Sequence, residues 1–137
     1  MLFITEGISF ILKKKLILRN WVIQTIESEG KKEGKICFVF CNDEYLLKMN
    51  NRYLHHDTYT DVITFDYSEG ETISGDILIS IERVKENAVK YKVKFDDELH
   101  KVMIHGVLHL LGYKDKTPGD ITLMRLKEDY YLSLLTF

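Results

Sequence analysis

Residues 36–41, ICFVFC, are apolar without a break, and this run constrains the fold more than any other feature of the chain. Successive side chains of a strand point to opposite faces, so a strand apolar on both faces belongs inside a sheet that is covered on both sides. The cover must come from elsewhere in the 137 residues. Residues 14–29 offer some of it, with Leu18, Trp21, Val22, Thr25 and Ile26 at helical spacing before Gly30 stops the pattern.

The remaining elements follow from the same periodicities. Residues 1–12 mix β-branched and aromatic side chains and suggest a strand. Asn42 or Asp43 can cap a helix whose inner face is Leu46, Met49 and Tyr53. Residues 61–67 and 76–81 read as two strands joined in a hairpin, and Val84, Ala88 and Tyr91 define a helix. Residues 97–111 form another helix, and Thr117, Pro118 and Asp120 make a capping-box start for a last one through Met124 and Tyr131. The order β, α, β, α, β, β, α, α, α predicts an α+β fold, a four-stranded mixed sheet packed against about five helices. With one proline, no repeat and no linker, residues 1–137 read as a single domain.

Composition removes several function classes. Nineteen basic residues against 21 acidic ones give a net charge of −2, which excludes a general nucleic-acid coating protein and makes any such contact local. Lys13, Lys14, Lys15 and Arg19 interrupt the most apolar stretch well short of the roughly 20 residues that span a bilayer. No basic segment precedes that stretch and no small-residue cleavage site follows it, so a cytoplasmic protein without membrane attachment is expected. Cys37 and Cys41 lie about 13 Å apart if they share one strand, too far for a disulfide, and read as small buried hydrophobes.

The chemistry concentrates in residues 105–115, HGVLHLLGYKD. His105 and His109 differ by about 40° in azimuth on a helix, so both imidazoles can meet one ion. Gly112 can take a positive φ and turn the chain back, bringing Asp115 round as a third ligand. Among five histidines a chance pair at this spacing arises about 0.2 times, but adding the glycine and the returning ligand lowers that to about 0.002. Two nitrogens and one oxygen suit zinc, with nickel possible, and three protein ligands leave the fourth position of a catalytic site for water. A zincin carries its general base after the first histidine, and here that position is Gly106. Peptide hydrolysis is therefore disfavoured, and the glycine is expected to leave open space beside the ion for a phosphodiester.

Residues 105–115 resemble the metal-binding signature of the YbeY family of rRNA maturation endoribonucleases, HGxLHLxGYDH. Thr60, Asp61, Val62 and Phe65 match the family's TDVLSF-type strand, Gly75, Asp76 and Ile77 its GDI strand start, and Asn50 the asparagine before them. The resemblance runs from about residue 36 to the C-terminus. It implies a zinc-dependent, single-strand-specific endoribonuclease acting on RNA rather than DNA, in 16S rRNA 3′-end maturation and quality control of the ribosomal small subunit.

Two departures from the family pattern stand out. Asp115 replaces the family's third histidine, and the extra negative charge should weaken the Lewis acid and make the pH optimum more alkaline. Leu54 stands where the family has a functional arginine, which leaves Arg52 and Lys114 as candidate phosphate contacts. His100 should point away from the ion, about 140° round the helix, whereas His55 and His56 sit in a loop within reach of it. Asp61 and Asp76 are candidates to orient an imidazole N–H. Basic residues cluster at 13–15, 31–35 and 83–94, and the last cluster, with Lys85, Lys90 and Lys92, can guide a single strand toward the ion, with Tyr91 and Tyr113 to stack on bases. Two other functions fit the same residues: a ribosome-assembly binding module with a structural metal, and a metal hydrolase of another substrate.

Overall fold

The computed structural model describes residues 1–54 and 60–137. The elements run β1 (Leu2–Glu6), α1 (Lys15–Ser28), β2 (Lys32–Cys41), α2 (Asp43–Leu54), β3 (Val62–Asp66), β4 (Thr72–Ser80), α3 (Ile81–Tyr91), α4 (Phe95–Leu110) and α5 (Pro118–Ser133). This is the α+β order expected from the sequence. The sheet order is β1-β2-β4-β3, with β2 parallel to both neighbours and β3 antiparallel to β4.

β2 is interior because both its faces are apolar. Ile36, Phe38 and Phe40 join Ile77 and Ile79 of β4 in the main core, which α1 and α4 cover. On the other face Val39 and Cys41 meet Leu78, Ile63 and Leu46, the last from α2. α1 buries Leu18, Trp21, Val22, Thr25 and Ile26, the five residues its periodicity selects. Both cysteines are free, and burial above all pushes the Cys41 thiol up to about 12. The last helix starts on the expected capping box, with Thr117 accepting from the Asp120 N–H and Asp120 accepting from the Thr117 N–H.

Several boundaries differ from the sequence reading. β1 stops at Glu6 because Gly7 turns at φ 70°, and the chain then packs Ile8, Phe10 and Leu12 on the core without pairing. β2 and β4 begin at Lys32 and Thr72, four residues earlier than expected, since their parallel ladder continues past an irregularity between Glu33 and Ile36. The inner face of α2 is Leu46 and Asn50, while Tyr53 is exposed with its ring edge-on to Phe65. Tyr91, on the last turn of α3, is exposed as well.

α4 lies closest to the sheet at Gly106. A Cβ there would sit 2.6 Å from Ile77 Cγ2, so the missing side chain lets the helix rest on β4. The expectation that Gly106 opens space beside an ion is therefore corrected. Its bare face is buried against the sheet, and the open space lies about a quarter turn round the helix, beside Glu98, Lys101 and His105.

Alanine at Gly106 would gain about 1 kcal/mol of helix propensity, but forcing a methyl against a fully buried isoleucine costs about 1–3 kcal/mol. Gly106→Ala should thus lose about 1 kcal/mol net in urea denaturation, and Gly106→Val several-fold more. A Gly106→Ala protein as stable as the parent would show that α4 does not need this approach.

Candidate metal centre

α4 supplies two imidazoles on adjacent turns, and the way it ends supplies the rest. Gly112 adopts φ 101°, its N–H donates to the His109 carbonyl, and the Tyr113 N–H donates to that of Leu108. This pair of bonds is the Schellman stop that reverses a chain after a helix. The reversal carries Asp115 back over the last turn. Its Oδ2 lies 3.4 Å from His105 Nε2 and 3.3 Å from His109 Nε2, and the two Nε2 atoms are 2.9 Å apart.

The other nitrogen of each ring decides what that cluster can do. His109 Nδ1 is 2.9 Å from the Tyr113 carbonyl, which can only accept, so Nδ1 carries the proton and Nε2 a lone pair. His105 Nδ1 is 2.5 Å from Glu128 Oε2, and donation to that carboxylate leaves its Nε2 with a lone pair too. Two lone pairs and a carboxylate oxygen thus converge with no donor between them. A tetrahedral ion with ligand bonds of about 2.0–2.1 Å spaces its ligand atoms about 3.3 Å apart, close to the separations here. His105, His109 and Asp115 therefore form a donor set that fits a divalent cation.

Without the cation, a proton takes up the strain. Burial opposes charge on His105, but the Glu128 hydrogen bond and charge, then Asp115 and Asp61, hold its pKa above the ordinary imidazole value. The resulting ion pair stabilises the metal-free fold fully below the unfolded pKa of about 6.5 and is lost as pH rises through the raised one.

Glu128 is the residue the sequence reading missed. It is 4% exposed and comes from α5, 23 positions beyond His105. The available signal was an acid four residues after Met124, on the face of α5 that also buries Met124 and Tyr131. A second anchor is Glu29, at the end of α1, which accepts from the hydroxyls of Tyr113 and Tyr131 and from Lys127 Nζ. Burial raises the Glu29 pKa, but the three donors outweigh it and hold the pKa below the usual carboxylate value. Tyr113 is therefore tethered through its hydroxyl, and its carbonyl orients His109.

A cleft of about 520 Å³ opens beside His105 and Asp115, bordered by Asp61, Tyr91, Glu98, Lys101 and Arg125. Of the other expected residues, Asp61 borders this cleft and Asp76 lies on the second face of the sheet, accepting from the Tyr67 hydroxyl. Neither hydrogen-bonds an imidazole among the described residues. Arg52 sits with its guanidinium 5.4 Å from the Tyr53 ring centroid, and Lys114 is exposed; neither borders the cleft. His100 is buried between Trp21 and Phe137, away from the cluster. His55 and His56 lie outside the described residues. Lys101 and Arg125, which the charge clusters did not single out, are the cations at the cleft. Among the described residues, no helix is long and apolar enough to cross a membrane.

A sequence model of the Endoribonuclease YbeY family matches residues 9–136. The chain is 58% identical over 127 residues to Endoribonuclease YbeY of Flavobacterium psychrophilum, covering 93% of this chain and 91% of that one. It is 44% identical over 132 residues to the Phocaeicola vulgatus protein of the same name, covering 96% of each. The solution structure of a Thermotoga maritima protein superposes with a TM-score of 0.67 at 26% identity, covering 97% of this chain and 87% of that one. Similarity thus reaches well before residue 36, where the motif resemblance begins.

Removing an orienting carboxylate from a histidine ligand typically weakens metal binding about 10–100-fold. Glu128→Gln should show that loss when zinc affinity is titrated at pH 8. The proton that competes at His105 would also bind less tightly, so the fall in affinity on acidification should move to lower pH. Parental affinity in the variant would remove Glu128 from the site.

Proposed function

The chain belongs to the Endoribonuclease YbeY family, and on that premise we propose that it is a metal-dependent hydrolase domain that cuts single-stranded RNA. The observation that carries this reading is the convergence of His105 Nε2, His109 Nε2 and Asp115 Oδ2 at one end of an open cleft. A bound divalent cation, zinc in this reading with nickel as the alternative, supplies a Lewis acid that draws charge from a phosphoryl oxygen and lowers the pKa of water.

The protein's own groups do the remainder. Glu128 and the Tyr113 carbonyl fix both imidazoles with their Nε2 atoms turned to the cleft. Lys101 and Arg125 at its border offer positive charge to the phosphates on either side of a scissile bond. Arg52 and Lys114 remain candidates for a flanking phosphate, reaching it from outside the cleft. The cleft is open along the surface, which suits an unpaired strand more readily than a stiff duplex. We place the substrate in 16S rRNA, with 3′-end maturation and quality control of the small ribosomal subunit in the cytoplasm as the setting.

Purified protein of known metal content, incubated with single-stranded and double-stranded RNA, should cut only the former. Cleavage should stop on chelation, return with zinc and be lost in His109→Ala. Metal retained without cleavage in any condition would favour an assembly module with a structural ion.

Asp115 adds one more negative charge than the histidine of the family pattern. Asp115→His should therefore move the alkaline pH–rate optimum toward neutrality and raise the rate there. A profile that does not move would count against Asp115 as a ligand.

A further inference from the structure

Glu98 has no part in the chemistry described so far, and its surroundings are unusual. It lies on α4 seven residues before His105, so the two side chains share a face of the helix about 10 Å apart along its axis. Glu98 is 95% buried by its 5% exposure, yet it borders the same cleft as His105. Among the described residues no hydrogen bond or ion pair reaches its carboxyl group, and Lys101, Asp61 and Glu128 act on it only through their charge. A buried carboxyl without a partner is costly, and such groups are normally satisfied. What can satisfy this one must enter from the cleft.

The chemistry of the visitor is restricted. Burial above all, then Asp61 and Glu128 against Lys101, hold the Glu98 pKa above the ordinary carboxylate value; once ionised, the group accepts and does not donate, so it turns away phosphate and calls for N–H groups. Tyr91, 54% exposed at the end of α3, borders the same cleft, with Lys90 Nζ 5.5 Å from its ring centroid. An exposed ring beside a buried acceptor is how single-stranded RNA is commonly read, the base stacked on the aromatic and hydrogen-bonded along its edge. Of the four bases, guanine alone turns two adjacent donors, N1–H and N2–H, toward one carboxylate.

We propose that Glu98 and Tyr91 form a guanine-binding subsite that selects the nucleotide beside the scissile phosphate. The proposal rests on the RNA-cleaving reading above and gives that site a sequence preference. Guanine would stack on Tyr91 and donate to both oxygens of Glu98, while Lys101 and Arg125 take the phosphates.

The test uses three single-stranded oligouridines, one with a central guanosine, one with inosine in its place and one unchanged. Inosine keeps N1–H and lacks the N2 amino group. Binding is followed by fluorescence anisotropy on the full chain with metal chelated, and cleavage separately on zinc-loaded protein. Guanosine RNA should bind about tenfold tighter than inosine RNA, the worth of one hydrogen bond to a charged acceptor, and Glu98→Gln should erase the preference. Equal binding of the three RNAs, or a preference that survives Glu98→Gln, overturns the subsite. The wild-type comparison decides even if the variant does not fold. Equal binding with metal-dependent cleavage sinks the subsite and keeps the nuclease; guanosine-selective binding without cleavage does the reverse.

Discussion

The approach of α4 to β4, with bare Gly106 resting on Ile77, is the contact on which the rest of the molecule depends. It puts one face of the helix into the main core and turns a neighbouring edge, with Glu98, Lys101 and His105, to the cleft. A helix held even slightly off the sheet would shift both imidazoles, and α5, which packs against α4, brings Glu128 to His105. α5 is tied to α1 by the Trp21 N–H donating to the Tyr131 carbonyl and by the Tyr131 hydroxyl on Glu29. The core and the site therefore share one rigid frame.

Within that frame the electrostatics are one-sided. Asp61, Glu98, Asp115 and Glu128 all face a single cleft, against the exposed cations Lys101 and Arg125 at its border. A cleft this acidic disfavours a polyanion, and it calls for added positive charge at its centre. Histidine lone pairs aimed at one another make the same demand at close range. A cation bound there would raise RNA affinity through charge, in contrast to a basic groove whose RNA affinity needs no added ion.

Much of this was legible in the residues. Element order, the covered interior strand, the inward face of α1 and the capping box of α5 all follow from local patterns within single elements, and the structure repeats them. The same holds for His105, Gly112 and Asp115, because helix pitch and one positive-φ turn suffice to bring them together. Less legible were strand ends, since a ladder continues for as long as its neighbour does. Tyr53 was misread because the edge of a sheet, not helix periodicity, determines how far α2 is covered.

By itself, then, the sequence determined the order of layers and the meeting of His105, His109 and Asp115, both products of short-range geometry. Only the tertiary structure decided that Gly106 faces the sheet, that Glu128 and Glu29 brace the imidazoles and that Glu98 borders the cleft with no hydrogen bond from the described residues. Those facts depend on segments far apart in the chain, such as residues 29 and 113, and no local pattern records which distant side chain a folded core will bring alongside.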